Sequence, residues 1–176
     1  MRKMARVTIR PLTPGDLAAF QAYRSDPDVA RYQSWEPMSD EEAKGFIEDV
    51  KTTTGLIPGR WIQLGVADET GLIGDLGLRL EADETEAEIG FTLAAAAQGR
   101  GLGSEAVRGA LGLIFQTTPV DRVIGVTDAE NTPSLRLMER MGFEKVAEEE
   151  TVFRGEPCVE FTYEMTRTRA AALKLF

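Results

Sequence analysis

Between residues 62 and 93 apolar positions alternate with polar ones, the period of half-buried strands. Ile62, Leu64 and Val66 form one such run, and a polar turn, Asp68 to Gly71, follows. Leu72, Leu76, Leu78 and Leu80 mark a second strand. Ala87, Ile89, Phe91 and Leu93 mark a third, so Glu86, Glu88, Gly90 and Thr92 fall on its opposite face. Upstream, Arg6 to Arg10 reads as a first strand, and Thr13 to Asp16 opens a helix carrying Leu17, Phe20 and Tyr23. Asp26-Pro27 ends that helix, and residues 28–38 read as irregular. Ser39 with Glu42 makes a capping box for a second helix, with Ala43, Phe46, Ile47 and Val50 on its apolar face.

Downstream, Ala106, Ala110, Leu113 and Ile114 predict a helix running to about Gln116, followed by a strand at Val123, Ile124 and Val126. Thr132 then caps a helix with Pro133 in its first position, and Gly142 ends it. Two strands follow, the last alternating through Val159, Phe161, Tyr163 and Met165. The order is β-α-α-β-β-β-α-β-α-β-β, which predicts an α+β fold. Its two β-to-α-to-β passages imply parallel neighbours within a mostly antiparallel sheet.

No repeat or linker interrupts the pattern, so residues 1–176 read as a single domain, with its core at about 6–166 and a C-terminal tail at 167–176. The chain has no histidine, which excludes a histidine-based triad and most zinc sites, and its single cysteine, Cys158, has no ligand partners at metal spacing. No metal is expected. There is no bilayer-length apolar run and no charged-then-apolar leader, so the expected setting is the cytoplasm, away from membranes. A net charge of −9 repels nucleic-acid backbone and favours a cationic partner, although acidity also serves solubility alone.

Against that acidity, Gln98-Gly99-Arg100-Gly101-Leu102-Gly103-Ser104 stands between a strand and a helix. Glycines let backbone approach a ligand, and the helix start presents unpaired N–H groups and a positive dipole end, which together suit a pyrophosphate. Arg100 adds a charge fitted to phosphate oxygens. The spacing matches neither the dinucleotide fingerprint nor a P-loop, and a ligand-free connection is the alternative.

Gln98-x-x-Gly101-x-Gly103 resembles the pyrophosphate-binding motif of the GNAT superfamily of acyl-CoA N-acyltransferases. Asn131-x-x-Ser134, with Leu137 and Gly142-Phe143, is similar to that superfamily's second cofactor-side motif. Asp26 to Tyr32, with Trp35, Pro37 and Glu41 to Ala43, resembles the branch that acetylates N-terminal alanines of ribosomal proteins, with relatives acting on polyamines and aminoglycosides. The resemblance implies a sheet with a central splay, helices on both faces, and acetyl-CoA as co-substrate. The strand carrying Phe91 and Leu93 would then part from the strand carrying Val123 to Val126 and pair with the pantetheine arm, with Asn131 holding that arm or simply entering its helix.

The expected reaction is acetyl transfer to a primary amine, on a peptide N-terminus or a small molecule. A longer acyl-CoA such as succinyl-CoA and a non-catalytic CoA-binding module remain alternatives. Glu88 is the candidate base, a surface-paired carboxylate otherwise; a backbone N–H near Leu93 is the candidate oxyanion donor. Where many relatives carry a tyrosine seven residues after the asparagine, this chain has Met138, and Ser134 is the substitute donor to the leaving sulfur, or else an early-helix serine. Tyr32, Trp35 and Glu36 are candidate acceptor contacts, the two aromatics being equally suited to anchoring their loop. A homodimer stays open.

Overall fold

The computed structural model describes residues 1–176, the side chain of Arg2 excepted. A two-residue strand β1 (Arg2–Lys3) precedes β2 (Thr8–Arg10). After a 3-10 turn at Pro14–Asp16 come α1 (Leu17–Arg24), the four-residue α2 (Pro27–Ala30) and α3 (Asp40–Val50). The meander is β3 (Trp61–Asp68), β4 (Gly71–Leu80) and β5 (Glu86–Leu93). The second half runs α4 (Leu102–Thr117), β6 (Arg122–Asp128), α5 (Thr132–Met141), β7 (Glu144–Phe153), β8 (Glu156–Thr166) and α6 (Arg167–Ala172).

Local chemistry explains the boundaries. Ser39 and Glu42 form the expected capping box at the start of α3. Pro27 opens α2 within the stretch expected to be irregular, because Asp26 accepts from the Asp28 amide and a proline at the first helical position loses no bond. Asn131, rather than Thr132, caps α5: its side-chain oxygen accepts from the Ser134 amide at 3.3 Å. β7 and β8 are joined by Arg154 and Gly155, both at positive φ (51° and 86°), the geometry that matches strand twist in a tight hairpin. The final residues, expected as a tail, form α6, and Ala170 and Leu175 are buried in the main core.

The strands form one sheet in the order β1-β2-β3-β4-β5-β6-β8-β7. Only β5 and β6 pair in parallel. The second β-to-α-to-β passage does not bring β6 and β7 together, because the hairpin returns β8 between them. Helices cover both faces. Leu76 and Leu78 of β4 share a core with Val107, Ala110 and Ile114 of α4. On the other face Leu12, Phe20, Ala43 and Ile47 form a second core beneath α1 and α3.

The second face also carries a buried charge network. Asp75 of β4 accepts from the Tyr23 hydroxyl, from Arg24 Nη2 at 3.1 Å and from Gln63 Nε2 at 2.7 Å. The Arg24 guanidinium lies 4.4 Å from the Phe20 ring centroid and 4.7 Å from that of Trp35. Burial, and then Asp75, push the Tyr23 phenol far above its usual range, so it remains a donor. Asp75→Ala leaves Arg24 buried without its partner, which costs about 3–5 kcal/mol. In a chain of this size the melting temperature should fall by about 10 °C, measured by thermal denaturation.

Candidate active-site cleft

Parallel pairing between β5 and β6 is confined to three positions, ending at Glu88 opposite Ile124. β4 continues to hold β5 as far as Leu93, and β8 holds β6 as far as Asp128, so the two halves of the sheet part company. Along residues 89–93 the edge of β5 that faces β6 therefore lacks a strand partner. A cleft of ≈ 940 Å³ enters this fork, running from Gly99, Gly101 and Ser104 at one end to Trp61, Phe153 and Glu160 at the other.

Met138 fills the base of the fork. It is 1% exposed, and its methyl would lie 2.1 Å from a Cβ placed on Gly125 of β6. The bare backbone of Gly125 is what lets the thioether enter between the strands.

At the glycine-rich end, α4 begins at Leu102, inside the motif, with Gly101 as its cap at φ 79°. Gly99 also has positive φ, at 70°. A Cβ on Gly103 would lie 2.6 Å from Leu137 Cδ1, so α4 and α5 meet only because that position is glycine. The Ser104 hydroxyl is buried against the cleft and has no hydrogen-bond partner. Gln98 turns back, its amide donating to the Leu93 carbonyl at 3.0 Å. The Arg100 side chain is exposed and does not line the cleft, contrary to its expected place against phosphate; instead Arg6 donates to its carbonyl at 2.9 Å. Arg6 also binds Glu105 of α4 at 2.5 Å, so it braces the loop from behind.

Glu88 stands at the fork, facing the cleft, and its side chain makes no hydrogen bond or ion pair among the described residues. Burial pushes its carboxyl above the usual glutamate range; Arg79 pulls it down, and Glu81, Glu86 and Glu160 add to the rise. Phe91, Leu93, Asn131 and Ser134 all line the cleft, as does Tyr32, whose hydroxyl donates to the Glu130 carbonyl at 3.4 Å. The Ser134 hydroxyl has no hydrogen-bond partner within the protein among the described residues.

The other two expected acceptor contacts lie elsewhere. Trp35 packs on Arg24 above the second core, and Glu36 is an exposed partner of Arg154 at 3.3 Å. Both line a separate, shallow depression, because the strap between α2 and α3 turns them outward. Arg154 fixes that strap from the β7–β8 hairpin by donating to the carbonyls of Gln33 and Trp35.

The family model of the acetyltransferase (GNAT) domain matches residues 6–144. The chain belongs to the GNAT acetyltransferase family. It is similar to an uncharacterized N-acetyltransferase, p20, of Bacillus licheniformis, with 28% identity over 142 residues and 80% of each chain covered. Among solved structures it resembles a GNAT-family acetyltransferase of Bacillus anthracis (TM-score 0.82, 25% identity, 93% of this chain and 96% of that one). It also shares its fold with a spermidine N-acetyltransferase of Vibrio cholerae, solved with CoA and spermine (TM-score 0.80, 20% identity, 96% and 99% covered). It is thus an acyl-CoA-dependent N-acetyltransferase. None of these matches singles out the ribosomal-protein branch.

Three cleft residues of this GNAT acetyltransferase escape a reading of the sequence. Arg136 and Arg140 lie one helical turn apart on α5, line the cleft and carry no ion pair among the described residues. Their i, i+4 spacing after Asn131 was a usable signal in so acidic a chain. Trp61 also lines the cleft, and only the packing of its strand turns it that way. No helix is long and apolar enough to cross a membrane.

The contact between Met138 and Gly125 is testable in isolation. Gly125→Ala should force the thioether from the fork and cost about 1–2 kcal/mol by chemical denaturation. In a Met138→Ala background the same change should cost close to nothing, the signature of direct coupling. Equal costs in both backgrounds would show that Met138 does not depend on that glycine.

Proposed function

We propose that this chain transfers acetyl from acetyl-CoA to a primary amine by direct attack in a ternary complex, with residues 1–176 acting as one catalytic unit. The observation that carries the reading is a single cleft. It joins a glycine-rich helix start to an unpaired strand edge and ends at an unpaired, partly buried carboxylate.

The residues fit a CoA thioester. The left-handed Gly101, the orphaned Ser104 hydroxyl and the start of α4 form a cradle of donors for the pyrophosphate. Arg136 and Arg140 supply the cations there, the part first expected of Arg100. Phe91 and Leu93 offer backbone groups to the peptide-like arm, and the Asn131 amide, whose oxygen is engaged in capping, donates from the other wall. Acetyl-CoA supplies an activated acyl carbon. The Leu93 amide is the oxyanion donor, Glu88 takes the proton from the acceptor ammonium, and the free Ser134 hydroxyl hydrogen-bonds the departing sulfur. Met138, buried in the fork, replaces a phenolic donor with packing.

The acceptor is a small amine. The fold neighbour solved with spermine supports this class, and so does the acidity of the far end of the cleft, at Glu88, Asp128 and Glu160. The ribosomal N-terminal alternative rests on the residues between Asp26 and Ala43 and on a fold neighbour that is a ribosomal L7/L12 acetyltransferase, at 14% identity.

Two outcomes follow. Gly101→Asp and Gly101→Ala both introduce a Cβ 3.2 Å from Arg6 Nη2 at positive φ, and only the first adds a charge. CoA affinity by calorimetry should fall at least ~10-fold further for Asp than for Ala; equal affinities would remove the pyrophosphate from this loop.

The reaction itself is tested by thiol release from acetyl-CoA with small amines. Because Glu88 is active as the carboxylate and its pKa is raised, the acid limb of the wild-type profile should lie above the ordinary glutamate range. Glu88→Gln should lose about 10²- to 10³-fold near pH 7, and less near pH 9.5, where the acceptor deprotonates without help. Wild-type rates in Glu88→Gln across the whole pH range would exclude Glu88 as the base.

A further inference from the structure

The face of the sheet that meets the far end of the cleft carries a strip without side chains. Gly77 of β4 stands directly opposite Gly90 of β5. A Cβ on Gly90 would meet nothing within 4 Å, so the space above it is open cleft. A Cβ on Gly77 would meet the indole of Trp61, at 3.2 Å from Cζ3 and 3.4 Å from Cε3, and Gln63 Oε1 at 3.4 Å. Trp61 itself lies opposite Arg79, whose other neighbour is Glu88. The indole therefore leans out of its own row and covers Gly77, beside Gly90 and Glu88.

This tryptophan is 50% exposed, at the end of β3 where the strand pairs with β4 alone. Its exposed surface belongs to the cleft that holds Glu88, Gly90 and Glu160. An indole that approaches the Gly77 backbone through Cζ3 and Cε3 and keeps half of its surface open is a platform for an aliphatic cation. No guanidinium or ammonium of the protein stacks on it among the described residues, whereas the Phe20, Trp35 and Phe46 rings are already covered by Arg24.

We propose that Trp61 is a specificity-determining residue for the acceptor: a flexible alkylammonium holds its nitrogen between the indole and Glu88, with its chain along the Gly77–Gly90 strip. The inference rests on the acetyltransferase reading and adds the acceptor class and the surface that selects it. Neutral, anionic and broad planar acceptors are disfavoured, because the platform rewards positive charge and the strip is one residue wide.

The test separates binding from turnover. The full chain, saturated with CoA, is titrated with n-butylammonium and with its neutral isostere 1-butanol, followed by NMR. The wild type should bind the ammonium more tightly than the alcohol. Trp61→Leu should weaken ammonium binding by about 5- to 30-fold and leave the alcohol nearly unchanged, while Trp61→Phe should stay within about 3-fold. CoA affinity and melting temperature should be unaltered. Gly90→Val, which fills the strip and leaves the indole in place, should weaken both probes. Equal affinity for ammonium and alcohol, or an unchanged ammonium affinity in Trp61→Leu or in Gly90→Val, overturns the proposal. A chain that shows the expected binding and releases no thiol from acetyl-CoA with n-butylamine contradicts the catalytic reading alone. A chain that instead acetylates Ala-Ala-Ala, with a KM indifferent to Trp61→Leu, overturns the acceptor class.

Discussion

Two parallel strands stay paired only while both backbones keep a common direction, and β5 and β6 do so for three residue pairs. β5 is committed to β4 along its whole length and β6 to β8, and the twist of the two half-sheets carries them apart beyond Glu88. The fork that results is the origin of the cleft. It exposes one edge of β5, which must find water or a ligand to satisfy its amides, since an orphaned buried amide costs about 1–3 kcal/mol. It sets Glu88 at the apex, where the last pair closes. The buried thioether of Met138 fills the base of the fork, and the absence of a side chain at Gly125 makes room for it.

The two ends of the cleft differ in charge for reasons that belong to different elements. The start of α4 stands at one end, and Arg136 and Arg140 of α5 line the same cleft. At the other, Glu88, Asp128 and Glu160 come from three strands and carry no ion pair among the described residues. The walls of the cleft are held by arginines that do not enter it. Arg6 fixes the glycine loop, Arg154 ties the strap to the hairpin, and Arg24, paired with Asp75, anchors Trp35 from below.

Much of this architecture is legible along the chain. Alternation between residues 62 and 93 predicts β3 to β5 and the facing of Glu88, because a strand's side-chain period is set by its backbone and needs no partner. The Ser39–Glu42 box and the glycines at 101 and 142 mark helix ends because capping and left-handed φ are decided within a few residues. Departures from the reading are also local in cause. Asn131 outcompetes Thr132 as a cap, and Pro27 starts a short helix.

What the sequence by itself determined was therefore most of the elements, their faces and the glycine-rich loop at a helix start. Tertiary structure alone decided that β8, antiparallel to β6, lies beside it rather than β7, which runs parallel to it, since the hairpin has the same local pattern in either placement. It decided that Arg100 points away while Arg136 and Arg140 point in, and that Trp35 and Glu36 face a different surface from Tyr32. It also turned Trp61 into the cleft, over a glycine sixteen positions further along the chain. Each of these depends on which elements pack together, and packing partners are chosen by the whole core rather than by the few residues that fix a turn or a strand.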